Sequence, residues 1–312
     1  MKKAGIIGGS GFIGSYITKA FLNHGYQVKV STTDISREDK YEHLMLFDHA
    51  DNLYISELDV TDKATLKDFV SDCDVVVHGG TPFILDVEDP KTQLFHPTIK
   101  GTENFLEVIN NTPSIEKVVF IASVAGWNTN FPFPAGGKNF NDTFDENDTR
   151  FTSTESHPYA QAKFIANQTV EKFIKDHQRL PFEISSVSPV AVMGKALSKR
   201  EDSTSGGLQH LIKNKIVPND FIKALFDNDV PFAIVDVEDV ANAIFKVATT
   251  QGLHGKDYLL SSETYKVSDM HAMLNNKKPK ENPGIVYKND LAKKDLGIHF
   301  KPVKDTLNNY SN

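Results

Sequence analysis

The chain has 312 residues, 39% of them hydrophobic, and a formal net charge of −7, enough to bury a substantial core in one large or two closely joined domains. The acidic balance and the lack of any long basic run argue against a nucleic-acid surface, and the single cysteine, Cys73, excludes a disulfide framework and a cysteine-based metal site. No stretch approaches 18 consecutive apolar residues, so no membrane span is expected; Met1-Lys2-Lys3 runs into an apolar segment too short for a leader, and a cytoplasmic location follows.

Strands and helices then alternate along the chain. Ala4 to Ile7 reads as an apolar strand. Phe12 to His24 reads as a helix with Phe12, Ile13, Tyr16, Ile17, Ala20 and Phe21 on one face, stopped by Gly25. Strands follow at Gln27 to Ser31 and Leu53 to Leu58, then a helix from Thr61 to Ser71 with Thr61 as N-cap. Val75 to His78 is a fourth strand, His96 to Asn110 a helix, Lys117 to Ala122 a fifth strand, Tyr159 to Asp176 a long helix, and Phe182 to Val187 a sixth strand. This order, with apolar strands, predicts an α/β protein whose parallel sheet is covered on both faces. Between these elements, Asn128 to Ser156 forms a long polar loop, and loops of that length are often functional.

After Pro189 the alternation fades. Residues 214–229 read as irregular, Val235-Asp236-Val237-Glu238-Asp239-Val240 opens a helix through Ala248, Tyr258 to Ser261 reads as a strand, and Ser268 to Asn275 and Asn289 to Asp295 read as short helices. The expected division is a dinucleotide-binding domain over 1–189 and a smaller substrate lobe over 190–312, with the strand near 258–261 returning to the main sheet. The patch Asn276-Lys277-Lys278-Pro279-Lys280 reads as a solvated loop.

Two motifs carry chemistry. In the first, Gly8-Gly9-Ser10-Gly11-Phe12-Ile13-Gly14 lies between an apolar strand and an amphipathic helix. Gly8 permits a tight turn, Gly11 lets a pyrophosphate approach the backbone, and Gly14 lets helix pack close on strand, with the helix N–H groups facing the phosphates. This makes the fold Rossmann-like, a doubly wound parallel sheet. At the end of the second strand, Thr32, Thr33 and Asp34 precede Arg37 and Lys40. Asp34 stands at the distance of a ribose 2′-OH acceptor, whereas hydroxyls and a guanidinium suit a 2′-phosphate; the balance favours NADP, with NAD as the alternative. Asp59 and Val60 are placed to touch adenine. In the second motif, Tyr159 and Lys163 stand four apart, on one helical face, with Ser123 upstream after an apolar strand. A carbonyl that accepts a hydride needs a proton on its oxygen. A tyrosine gives one near neutrality when a neighbouring cation favours its phenolate, and a serine hydroxyl can orient the carbonyl. Lys163 can also hold the nicotinamide ribose.

With these residues the chain resembles the extended short-chain dehydrogenase/reductases over nearly its full length. His78-Gly79-Gly80-Thr81-Pro82 resembles the family's cofactor-lining segment, Pro97 to Thr102 its next helix, and Val235 to Ala241 its late-chain segment. Thr81-Pro82 and Ser188-Pro189-Val190-Ala191-Val192-Met193-Gly194 look most like the dihydroflavonol, cinnamoyl-CoA and methylglyoxal-type aldehyde reductase branch. The resemblance implies reduction of a small-molecule aldehyde or ketone with NADPH. Gly79, Gly80, Thr81, Ser188 and Pro189 would join the cofactor site, and Phe83, Ile84, Trp127, the loop Asn128 to Phe133, Val190 and Met193 the substrate site. No metal is implied, and a monomer or homodimer is expected. The chain departs from the branch at Thr33, where an arginine is common, at Ala122 and at Gly80. A nucleotide-sugar epimerase or dehydratase is an alternative, although Ser188 and Ala191 stand where that class carries an arginine and an asparagine. A 3β-hydroxysteroid-type dehydrogenase and a non-enzymatic NADP(H) sensor are the others.

Overall fold

Four short apolar runs set the centre of the molecule. In the computed structural model, which describes residues 1–79, 88–199, 204–308 and 310 (without the side chains of 204–206), they become β1 (Lys3–Ile7), β4 (Val75–His78), β5 (Lys117–Ile121) and β6 (Glu183–Pro189). Val76, Val118 and Ile184 bury towards one face of the sheet while Val75, Val77, Val119 and Val187 bury towards the other, the pattern of strands covered on both sides. With β2 (Gln27–Thr32), β3 (Leu53–Glu57) and β9 (Asp257–Leu260) they form a seven-stranded sheet of order β3-β2-β1-β4-β5-β6-β9, parallel at every pairing. The order reverses between β1 and β4. In such sheets a ligand sits beyond the carboxyl ends of the strands at that switch point.

Helices α1 (Phe12–Asn23) and α7 (Val237–Thr249) pack together in the core on one face. Helices α2 (Lys63–Val70), α3 (Gly101–Asn110) and α4 (Pro158–Asp176) are associated with the core of the other. A second sheet of order β10-β8-β7 joins β7 (Ala191–Met193), β8 (Pro231–Asp236) and β10 (Glu263–Lys266). It shares a third cluster with α5 (Thr204–Asn214), α6 (Asp220–Asp227), α8 (Val267–Leu274) and α10 (Val303–Asn308), and α9 (Asp290–Leu296) packs near β9.

Several boundaries differ from the sequence expectation, each for a local reason. Asp62, not Thr61, caps α2: its Oδ1 accepts from the Ala64 N–H at 2.8 Å, while Thr61 donates to Asp59 from both its N–H and its hydroxyl. Val235 and Asp236 end β8 instead of opening α7, because β8 pairs with both β7 and β10; Asp236 then caps the helix by accepting from the Glu238 N–H. The segment 214–229 contains α6, capped by the Asn219 side chain at Ile222 N–H. The helix expected from His96 is preceded by a π-helical run, Lys91–Lys100, containing Pro97. Proline offers no N–H to an α-ladder, and wider turns of this kind occur where the ladder is interrupted.

Candidate active site

The glycine loop closes on itself tightly. Gly8 has φ of 82°, where a side chain would be strained. A Cβ on Gly14 would lie 2.0 Å from the Gly8 carbonyl oxygen, so only glycine lets α1 begin this close to β1. Gly11 occupies the N-cap of α1 without any side-chain cap, which leaves the first helical N–H groups of Phe12 and Ile13 open to an anion. The Gly8 N–H donates to Ser31 Oγ at 2.9 Å, Thr18 Oγ1 donates to the Gly9 carbonyl at 2.9 Å, and Ser15 Oγ pairs with His43 Nε2 at 2.8 Å. A backbone cradle free of side chains, at a helix N-terminus and with Ser10 at its turn, fits a dinucleotide pyrophosphate.

Beyond β2 the side chains are already engaged. Thr32 is buried and its hydroxyl donates to the Asp34 carbonyl at 3.0 Å, so it presents no hydroxyl outward as the sequence suggested. Thr33 is exposed. Asp34 Oδ1 accepts from the Ser36 N–H and hydroxyl, which holds its carboxyl below the usual range. Arg37 makes a two-pronged pair with Asp39, at 2.8 and 2.9 Å, and Lys40 is half-buried beside it. Asp59 accepts both bonds from Thr61, and Val60 packs where a Cβ on Gly101 would fall.

Next to this cradle lies a cavity of about 220 Å³ lined by Ile13, Gly79, Ser123, Tyr159, Lys163, Pro189 and Val190 among others. Ser123 leaves β5 in extended conformation, and its Oγ accepts from the Ala125 N–H at 3.2 Å. The hydroxyls of Tyr159 and Ser123 are hydrogen-bonded to each other. Helix α4 starts at Pro158, and His157 Nδ1 accepts from the Tyr159 N–H at 3.2 Å. One turn on, Lys163 Nζ donates to the Ile121 carbonyl at 3.0 Å. Burial pushes the Tyr159 phenol well up, partly offset by the Ser123 bond, and pushes Lys163 down to about 7. His78, its ring set against Phe105 and Phe120, is driven down to about 3 by burial and by Lys163.

Three residues expected here lie elsewhere. Trp127 is buried in the core with the Arg150 guanidinium 4.1 Å from its ring centroid, Met193 is fully buried in the second-sheet cluster, and Ser188 is buried with its hydroxyl donating to Asp257 at 2.8 Å. Gly80, Thr81, Phe83 and Ile84 fall outside the described residues. The loop after Asn128 contributes Thr129 and Phe131 to the cavity. Sequence reasoning missed His157, Leu208, Phe221 and Phe232. The last three come from the second lobe, and nothing local in the sequence ties them to the tyrosine.

A model of the NAD dependent epimerase/dehydratase family matches residues 4–261. Cinnamoyl-CoA reductase CAD2 from Medicago truncatula is 27% identical over 254 residues, covering 80% of this chain and 74% of that protein. An anthocyanidin reductase from Arabidopsis thaliana is 27% identical over 287 residues, covering 90% and 82%. Among solved structures, yeast methylglyoxal/isovaleraldehyde reductase Gre2 complexed with NADPH superposes with a TM-score of 0.79 at 23% identity, covering 98% of this chain and 96% of that one.

Proposed function

The chain belongs to the NAD dependent epimerase/dehydratase family, and we propose that within it the protein is an NADPH-dependent reductase of small aldehydes and ketones. The observation that carries this reading is the convergence of Ser123, Tyr159 and Lys163 on one largely apolar cavity beside the glycine cradle. The similarity to cinnamoyl-CoA and anthocyanidin reductases supports it.

Gly8 to Gly14 and the N-terminus of α1 would hold the dinucleotide pyrophosphate, and Lys163 the nicotinamide ribose. The reduced nicotinamide, when bound, supplies the hydride. The protein supplies the proton and its control. Ser123 donates a hydrogen bond to the carbonyl oxygen and orients it. Tyr159 gives its phenolic proton to the same oxygen as negative charge develops there. The phenolate left behind is costly in a buried site, and a Lys163 ammonium one turn away offsets that cost. Solvent then returns the proton to Tyr159.

Preference for a 2′-phosphate rests on Arg37. Its pair with Asp39 is exposed, and exposed pairs contribute about 0–1 kcal/mol, so a phosphate can recruit the guanidinium at little cost. Gre2, solved with NADPH, supports the same choice. A nucleotide-sugar substrate fits less well: Ser188 is turned to Asp257, Ala191 lines the cavity without an amide, and a diphosphate needs such donors.

The test is loss of reduced-nicotinamide absorbance with NADPH, and separately NADH, against aldehydes, α-dicarbonyls and aryl ketones. Tyr159→Phe should lower kcat by about 10² to 10⁴ while leaving dinucleotide affinity close to wild type. Oxidation of neither cofactor by any of these carbonyls would overturn the reading.

A further inference from the structure

Asp257 opens β9, and its side chain, 11% exposed, accepts from three separate segments. Ser188 Oγ on β6 donates to Oδ1 at 2.8 Å. Asn167 Nδ2 on α4 donates to Oδ2 at 3.2 Å, and Arg150 Nη2 from the long loop approaches the same oxygen at 3.5 Å. Asn167 lies one helical turn past Lys163 and two past Tyr159, and its own buried Oδ1 has no hydrogen-bond partner among the described residues. Asn167 also supports the Ser123 turn. A Cβ on Gly126 would lie 3.1 Å from Asn167 Nδ2, and the Gly126 N–H donates to the Ser123 carbonyl at 2.8 Å. The next residue, Trp127, carries the Arg150 guanidinium on its ring, and Arg150 also pairs with Glu171 further along α4. One carboxylate thus closes a ring of contacts through the turn bearing Ser123, the helix bearing Tyr159 and Lys163, and the strand leading to Pro189.

We infer that Asp257 is a positioning residue that sets the catalytic helix against the Ser123 turn. The inference rests on the reductase reading. Its physical basis is electrostatic and directional: a carboxylate accepts from all three donors and faces Arg150 with its charge, whereas an amide at 257 loses that charge and, with its one oxygen kept for Asn167 and Arg150, turns its N–H₂ to Ser188 and reverses that bond. Misplacement of a reacting group by a fraction of an ångström lowers the rate of the chemical step more than substrate binding.

The reciprocal exchange tests it. Asp257→Asn should lower kcat about tenfold or more, with carbonyl KM little changed, and should shift the emission of Trp127, the only tryptophan in the chain. Adding Asn167→Asp returns a carboxylate to the same junction, and the double variant should recover most of the lost kcat. Asp295→Asn, which removes the charge that Lys256 pairs with just before the same strand and leaves the Tyr258 hydroxyl an acceptor, should leave kcat per folded enzyme unchanged. Equal kcat losses for Asp257→Asn and Asp295→Asn per folded enzyme, or no recovery in the exchange, would overturn the inference. Should the wild type bind NADPH but reduce no carbonyl, the reductase reading fails alone. NADPH affinity then decides: weakened by Asp257→Asn and restored by the exchange, or unchanged, which overturns the positioning role.

Discussion

Lys163 carries its charge against the fold. It is 5% exposed, and burial pulls its pKa from 10.5 down to about 7. Between these values the unfolded chain holds a proton that the folded chain releases, so this residue's contribution makes stability rise with pH across that window and stay flat below it. Moving a pKa by one pH unit corresponds to about 1.4 kcal/mol. Lys163→Met should therefore raise the melting temperature at pH 7, with the gain shrinking as pH approaches the unfolded lysine value, while turnover is lost. A variant less stable than wild type at pH 7 would contradict the burial penalty. The same scale shows where sequence reading stops. Ser123, Tyr159 and Lys163 were legible because their spacing is local to one strand end and one helix. Trp127 was not: it follows the Ser123 turn, as a lining residue would, but its ring is claimed by Arg150. Asp257 gave no signal either, since its partners come from positions 150, 167 and 188.

Elements were legible where their periodicity was strong and unbroken. The β1-loop-α1 unit reads directly, because an apolar strand, spaced glycines and a 3.6-residue face agree with one another. Helix α6 did not, because it spans only eight residues, Asp220–Asp227, between Val217-Pro218 and Asn228-Asp229. At the start of α7 helical periodicity pointed to Val235, and pairing of β8 with two strands overrode it. That boundary concentrates stability in Asp236. Its carboxylate caps α7 and accepts from Thr306 on α10 at 2.8 Å and from Lys301 at 3.2 Å, and it is buried. Asp62, by contrast, caps the exposed start of α2, and its side chain makes no other hydrogen bond among the described residues. Asp62→Ala should cost about 1 kcal/mol in denaturant unfolding. Asp236→Ala should cost about 2–4 kcal/mol, since it also strands the buried Thr306 hydroxyl and takes one of two carboxylates from the half-buried Lys301 ammonium, which keeps Glu238. Equal losses would mean that the link to α10 contributes nothing.

The division into a cofactor domain over 1–189 and a substrate lobe over 190–312 describes where residues act, and we propose that it does not describe two folding units. Strand β9 pairs in parallel with β6 inside the main sheet, and the apolar face of α7 packs on α1. The largest core cluster joins Ile6, Val30 and Val77 from the first part to Val235, Ile244 and Leu259 from the second. A fragment ending at 189 would leave β6 as a bare edge and uncover the α7 side of the sheet, exposing both unpaired backbone and a broad apolar surface. The cavity has the same dependence: Tyr159 and Lys163 come from the first part, while Leu208, Phe221 and Phe232 close it from the second. The whole chain should therefore unfold in one calorimetric transition whose van't Hoff and calorimetric enthalpies agree, and the 1–189 fragment should lack a cooperative transition. Two resolved transitions, with the first fragment melting at one of them, would show that the parts fold independently and that the shared core is an interface between them.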